Sequence, residues 1–113
     1  MAIRVRAAAV QAEPTWLHLP DGVAQTIGFI EDAAAGGARL VAFPEAFLPG
    51  YPWWLWLNSV DWGAEFRARY LANAMTRDGA EMRAIADAAV AGGPEAEAKI
   101  KEATDAIARL VRS

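Results

Sequence analysis

Cysteine is absent from this 113-residue sequence. Its absence excludes disulfide bonds, thiolate metal sites and a thiol nucleophile within the chain. Histidine occurs only once, as His18, so a metal site built on several imidazoles is not expected either. We therefore expect no bound metal and no cofactor.

Excess positive charge and long apolar runs are also lacking. Eleven Lys and Arg against fourteen Asp and Glu give a net charge of −3, which offers no electrostatic footprint for nucleic acid. No apolar run approaches the ~18 residues that indicate a membrane span. Residues Met1 to Arg6 lead directly into a strand, without the apolar core of a signal peptide. We expect a cytoplasmic protein of one domain at most, with neither nucleic acid nor membrane as a partner.

The first forty or so residues predict a strand, a helix and a second strand. Ile3–Gln11 alternates and then runs apolar, as a strand covered on both faces does. A helix is predicted from Pro20-Asp21, with Asp21 as N-cap, to a stop at Gly36-Gly37. Its apolar face is formed by Val23, Ile27, Ile30 and Ala34. Arg39–Phe43 then predicts a buried second strand, so the segment is a βαβ unit with two parallel strands.

A carboxylate follows the second strand immediately. Pro44 ends the strand and Glu45 comes next, before a loop that contains Pro49, Gly50 and Pro52. The loop leads into an aromatic run: Tyr51, Trp53, Trp54 and Trp56. An acid at the carboxyl end of a buried strand, under an aromatic loop, lies where open α/β sheets place their chemistry. Two simpler interpretations stay open, in which Glu45 caps nearby amides and the aromatic rings pack in a core or an interface.

Three further helices are predicted. The first begins at Asp61 and runs to about Met75. The second, residues 80–91, is introduced by Asp78-Gly-Ala-Glu81, which has the form of a capping box. The last, from Glu95 to about Arg112, has an apolar seam and favourable i,i+4 charge pairs. Packing on the sheet is the expected role of this last helix, and helix-mediated dimerisation is the alternative.

One stretch resembles the signature of a known family. Its residues are Gly37-x-x-Leu40-Val41-x-Phe43-x-Glu45-x-x-Leu48-x-Gly50-Tyr51-Pro52. They resemble the first signature of the nitrilase branch of the carbon–nitrogen hydrolase family. The segment Tyr51-Pro52-Trp53-Trp54-Leu55-Trp56 resembles the aromatic loop of aliphatic nitrilases and cyanide-degrading relatives, and Phe66-x-x-Arg69-Tyr70-x-x-Asn73 resembles the helix after it. The resemblance covers about residues 3–90.

The resemblance implies an α/β fold: the amino-terminal βαβ unit of an α-β-β-α sandwich, here followed by three helices. It also implies hydrolysis of a nitrile to a carboxylic acid and ammonia by a Glu, a Lys and a Cys. The cysteine thiolate attacks the nitrile carbon, giving a thioimidate and later a thioester, while the glutamate acts as general base and the lysine stabilises the developing charge. By the motif, Glu45 is the catalytic base, and burial at the strand end would suit a carboxyl in that role. Tyr51, Trp53, Trp54 and Trp56 are the implied wall of the substrate pocket.

The sequence departs from this family in two of the three catalytic residues. It has no cysteine, and its only lysines, Lys99 and Lys101, lie on the last helix outside the family's lysine motif. We therefore divide the chain into a nitrilase-like segment, residues 1–91, and an additional amphipathic helix, residues 92–113, packing on it within one domain. We expect the chain alone to be inactive on nitriles. A truncated gene product, an engineered fragment and a computer-generated sequence are three possible origins.

The main alternative is a non-catalytic scaffold or oligomerisation module that keeps the motif without its chemistry. Two parallel strands form a thin sheet, and both strands are edges that can pair with another copy of the chain. We therefore expect a homo-oligomer, in which the aromatic loop and the last helix make contacts.

Overall fold

The computed structural model describes residues 2–91 and Arg109, and shows an α/β arrangement that begins with the predicted βαβ unit. The elements, in chain order, are β1 (Ala7–Ala9), α1 (Leu19–Ala35), β2 (Leu40–Ala42), a 3₁₀ helix (Trp53–Trp56), α2 (Ala64–Ala72) and α3 (Ala80–Val90). The predicted helix from Glu95 to about Arg112 lies, apart from Arg109, outside the described residues. Within the described residues, no helix has the length and apolar character needed to cross a membrane.

The sheet consists of β1 and β2, which run parallel with Ala8 opposite Val41. Backbone hydrogen bonds extend the pairing at both ends, from Arg39 N–H to the Arg6 carbonyl and from Val10 N–H to the Ala42 carbonyl, both 2.8 Å. Each strand is three residues long, shorter than predicted. Since β2 is confined between the turn at Gly36-Gly37 and Pro44, β1 can pair with it over only a few residues.

The prediction that the two strands are buried is wrong. Alternate residues point to opposite faces of a strand, and the register places one set from each strand on the same side. Leu40 is 59% exposed on that side, and Ile3 and Val5, ahead of β1, are 83% and 50% exposed. We call this side the open sheet face; it comprises Ala7, Ala9, Leu40 and Ala42, and the exposed Ile3 and Val5 lie just ahead of it in the chain. No described element covers it, and α1 packs on α3 instead.

Helix α1 begins at Leu19, and its N-cap is His18, three residues before the predicted cap Asp21. The Asp21 N–H donates to His18 Nδ1 at 3.3 Å, so the imidazole replaces the expected carboxylate as the capping acceptor. The first amide of the helix, that of Leu19, donates to Asn73 Oδ1 at 2.9 Å. Asn73 directly follows α2, and its own backbone N–H donates to carbonyls of that helix, so it links the end of α2 to the start of α1.

The core lies between α1 and the loop after β2. Phe47 is 5% exposed, and its ring contacts those of Phe29 and Phe43 at centroid distances of 6.4 and 5.4 Å. Leu48 lies against Gly22 of α1, where a Cβ would come within 2.6 Å of Leu48 Cδ2. The other buried apolar side chains are Leu19, Val23, Ile30 and Trp54. This packing fixes the loop after β2 on α1.

Helices α2 and α3 confirm the predicted positions but not the predicted caps. Helix α2 is shorter than expected, since Asp61 lies in the turn that precedes it and Gly63 is the N-cap. Helix α3 packs against α1, and its N-cap is Gly79, with no side-chain capping bond. The capping box fails because Asp78 lies one residue ahead of the N-cap, which leaves Glu81 one residue too early to bond back to it.

Candidate functional site

The loop after β2 carries Glu45 in a turn that is held on both sides. Phe47 N–H donates to the Pro44 carbonyl at 3.2 Å, and Gly50 N–H donates to the Ala46 carbonyl at 2.9 Å. Ala46, directly after Glu45, has a positive φ of 51°. Phe43 and Phe47, two residues before and two residues after Glu45, contact each other through their rings. The backbone that presents the carboxylate is thus anchored to the core at both ends.

The side chain of Glu45 is exposed, and the expectation that it is buried is wrong. The reason is that no described element covers the carboxyl end of the two-stranded sheet. Among the described residues, no hydrogen bond or ion pair to its carboxylate is seen, so the interpretation of Glu45 as a cap for nearby amides finds no support. The carboxylate is therefore accessible for contact with another molecule or another part of a protein.

Five aromatic residues form one connected cluster at the 3₁₀ helix and α2: Trp53, Trp54, Trp62, Phe66 and Tyr70. Trp54 is 4% exposed and stacks on Phe66 with centroids 5.9 Å apart and an interplanar angle of 18°. Tyr70 meets Trp54 edge-on at 5.9 Å, and Trp62 contacts Phe66 at 5.0 Å. Helical spacing explains the arrangement on α2, since Phe66 and Tyr70 are four residues apart and share a face.

A cavity of about 210 Å³ lies at the edge of this cluster. Five aromatic residues line it: Trp16, Tyr51, Trp53, Trp54 and Phe66. Leu17, Gly50 and Arg69 complete the lining. Trp16 meets Trp53 in an edge-to-face arrangement, with centroids 6.3 Å apart and planes at 89°. Arg69 is the one charged residue among the eight.

Gly50 leaves the space in which the Trp16 ring forms one wall of the cavity. Its φ is +115°, and a Cβ at this position would lie 2.5 Å from Trp16 Cε3. The loop that carries Trp16 is tied to the loop of Gly50 by a bond from Leu17 N–H to the Pro49 carbonyl, 2.9 Å long. Trp16 Nε1 donates to Glu13 Oε1 at 2.8 Å, which fixes the indole orientation. A side chain at residue 50 would therefore occupy the space of the cavity wall.

The structure brings together only part of the predicted site. Tyr51, Trp53 and Trp54 line the cavity, whereas Trp56 is 77% exposed and lies outside the lining. Glu45 is not among the lining residues either. The roles assigned to these residues stay predictions.

Sequence reasoning missed some of the lining residues. Phe66 and Arg69 could have been found from their i,i+3 spacing on a helix that follows an aromatic loop. Trp16 gives no such signal, because only the fold brings residues 16 and 53 into contact.

His18 and the carboxylates do not assemble into a metal site in the described part of the chain. No group of three or more His, Asp or Glu side chains suitable for a metal ion occurs there. His18 Nδ1 lies 3.3 Å from Asp21 Oδ2, within the cap of α1. The histidine therefore has a local structural role at the start of the helix.

Comparison with known proteins identifies the family of the chain. The family model for carbon–nitrogen hydrolase matches residues 6–104, beyond the division predicted at residue 91, and that division stays a prediction. A nitrilase of Bacillus sp. (strain OxB-1) is 44% identical over 72 residues, which cover 64% of this chain and 21% of that protein. A nitrilase of Pseudomonas syringae pv. syringae (strain B728a) is 45% identical over 85 residues, 75% of this chain and 25% of that protein.

A cyanide hydratase of Neurospora crassa is 44% identical over 86 residues, 76% of this chain and 24% of that protein. The chain thus spans about a quarter of the length of the curated relatives it matches. The family model covers most of the chain, and the βαβ unit fits the amino-terminal α/β part of that fold. The chain belongs to the carbon–nitrogen hydrolase family.

Proposed function

We propose that this chain is the base-bearing part of a nitrilase-type hydrolase, which converts a nitrile and two waters to a carboxylic acid and ammonia. The observation that carries the proposal is Glu45, an accessible carboxylate on an anchored turn at the carboxyl end of β2. In the reaction implied by the resemblance, a carboxylate in this position takes the proton from the attacking group. Family membership and relatives named nitrilase and cyanide hydratase support the substrate class.

The chain supplies the base but not the nucleophile. None of the 113 residues is a cysteine, so no thioimidate can form on this chain, and a positioned base has no thiol to activate. We expect the purified 113-residue chain to release no ammonia from an aliphatic nitrile, and to form neither formamide nor ammonia from cyanide. Turnover by a sample of verified intact mass, lost on Glu45→Ala, would contradict the expectation that the chain alone is inactive.

A chimera tests whether Glu45 works as the base when the other groups are present. The amino-terminal part of the Pseudomonas syringae nitrilase, 45% identical over 85 residues, is replaced by the matching residues of this chain. We expect the chimera to hydrolyse nitriles and Glu45→Gln to lower kcat by about 10²–10⁴-fold, the usual contribution of a general base. Glu65→Gln is the matched control, since Glu65 is an exposed glutamate in the first turn of α2.

The control separates a specific effect from a general one. Activity of the Glu45→Gln chimera within a few-fold of the parent would remove Glu45 from the proposed role. Equal losses for Glu45→Gln and Glu65→Gln would have the same meaning, because an exposed helix residue has no contact with the chemistry. Circular dichroism of each variant confirms that both are folded before rates are compared.

The alternative function, a non-catalytic scaffold or oligomerisation module, is favoured by the open sheet face. Leu40 is 59% exposed on one side of the sheet, and Ile3 and Val5, just ahead of β1, are at least half exposed. Within the described residues, each of the two strands also has an unpaired edge. If copies associate through this face, light scattering gives a mass that is a multiple of 12.1 kDa and falls to the monomer with Leu40→Lys. A monomer at all concentrations, unchanged by the substitution, counts against this alternative.

A further inference from the structure

We infer that the aromatic cavity binds a small aromatic monocarboxylate, with the ring between the indole walls and the carboxylate on Arg69. The inference extends the proposed function to a ligand class, since a carboxylic acid is the product of nitrile hydrolysis. It rests on the contents of the cavity rather than on Glu45, which does not line it. Binding can therefore be measured without turnover.

The size of the cavity fits one ring with a short substituent. Its volume is about 210 Å³. An apolar cavity of about 150 Å³ is sufficient to hold benzene. The remaining space is of the order needed for a methylene and a carboxyl group.

The walls offer both edges and faces to an aromatic ring. Trp16 and Trp53 stand at 89° to each other, so a ring placed against both meets one indole edge and one indole face. Trp54 and Phe66 are stacked on the adjoining side, and Phe66 also contacts Trp53 at 6.3 Å. These contacts hold the walls in place before a ligand enters, which reduces the entropy lost on binding.

Arg69 determines the charge of the ligand. It lies three residues after Phe66 on α2, and it is the one ionised group in the lining. Within the part of the chain that the structure describes, no carboxylate is paired with its guanidinium. A guanidinium next to an apolar cavity suits the planar, bidentate geometry of a carboxylate. A neutral nitrile would use the aromatic walls alone.

Titration with phenylacetate tests the inference, with neutral phenylacetonitrile as the comparison ligand. The indole N–H signals in ¹H–¹⁵N spectra of the intact chain report the location of binding. We expect saturable shifts for Trp16, Trp53 and Trp54, and none for Trp56, which is 77% exposed and outside the cavity. Shifts of equal size at all indoles, or no saturation, would overturn the inference.

Two variants then test the role of the charge. Arg69→Gln should weaken phenylacetate binding about tenfold and leave phenylacetonitrile binding unchanged. Arg83→Gln, at an exposed arginine on α3, should change neither. Equal affinity of phenylacetate for Arg69→Gln and the parent, or equal weakening of both ligands, would exclude a carboxylate contact at Arg69.

The outcome is independent of the chimera experiment. Phenylacetate binding with an inactive chimera would leave the cavity as a carboxylate site and remove the nitrilase role. If the chimera is active but the chain does not bind phenylacetate, the nitrilase role is supported and the cavity is not a carboxylate site.

Discussion

Gly50→Ala should destabilise the protein by the sum of two effects that the structure separates. The φ of +115° is a conformation that a residue with a Cβ rarely adopts, at a cost of about 1–3 kcal/mol. The added Cβ would also lie 2.5 Å from Trp16 Cε3 and 2.9 Å from Cζ3, well inside van der Waals contact. Moving a rigid indole out of a packed cluster costs about 1–3 kcal/mol more. We expect a total loss of about 2–6 kcal/mol in the free energy of unfolding.

Gly37→Ala is the matched control. Gly37 also has a positive φ, +85°, but the nearest atom to an added Cβ is Arg6 Nη1 at 3.2 Å, at the end of an exposed side chain that donates to the Gly36 carbonyl. A guanidinium at the surface needs to shift only slightly to make room, so this variant should lose little beyond the backbone part. The difference between the variants, about 1–3 kcal/mol, measures the contact with Trp16. Urea unfolding followed by far-UV circular dichroism gives both values without depending on indole fluorescence.

A double-mutant cycle isolates the steric part. In a Trp16→Ala background the indole is gone, so Gly50→Ala should cost only its backbone strain. The coupling between residues 16 and 50 should then be about 1–3 kcal/mol. The reasoning is refuted if Gly50→Ala costs the same with and without the Trp16 ring, or if it costs no more than Gly37→Ala.

Two further predictions concern α1. Gly28→Ala should stabilise the protein by about 0.5–1 kcal/mol, because nothing lies within 4 Å of an added Cβ and alanine favours the helix. Gly22→Ala should lose that gain, since its Cβ would lie 2.6 Å from Leu48 Cδ2. Thermal unfolding measures both variants, and equal gains in stability would contradict the packing of Leu48 on α1. Asn73→Ala should cost about 1–2 kcal/mol, because it removes the acceptor for the first amide of the helix. The control Asn58→Ala changes an exposed asparagine that accepts a bond from its neighbour Ser59, and its free energy of unfolding should stay within about 0.5 kcal/mol of the parent. Similar losses for Asn73→Ala and Asn58→Ala would show that the bond from Asn73 to the start of α1 does not stabilise the protein.

The order of the elements could be predicted from the sequence because it depends on local patterns. The 3.6-residue periodicity located α1, and Gly36-Gly37 marked its end to within a residue. The motif around Glu45 predicted both the strand before it and the family. These signals are written in neighbouring residues and need no knowledge of the fold.

The features that could not be predicted depend on contacts between segments that are distant in the sequence. Burial of the strands required a layer on the open sheet face, and no pattern within β1 or β2 reports whether that layer is present. Asp21 was the better N-cap by type, but the chain enters α1 three residues earlier and His18 takes that position. The cavity needed residues 16 and 69 beside the aromatic loop, and only the folded chain brings them there.

The bond from Leu19 N–H to Asn73 Oδ1 connects residues 54 positions apart. An amide at the first turn of an isolated helix exchanges with solvent at nearly the rate of an unfolded chain. Here that proton is protected while Asn73, at the end of α2, stays bonded to the start of α1. Because Phe66 and Arg69 lie on the same short helix, the exchange rate of this amide reports how often the cavity comes apart. A single backbone proton thus serves as a native reporter of the opening of the aromatic cluster.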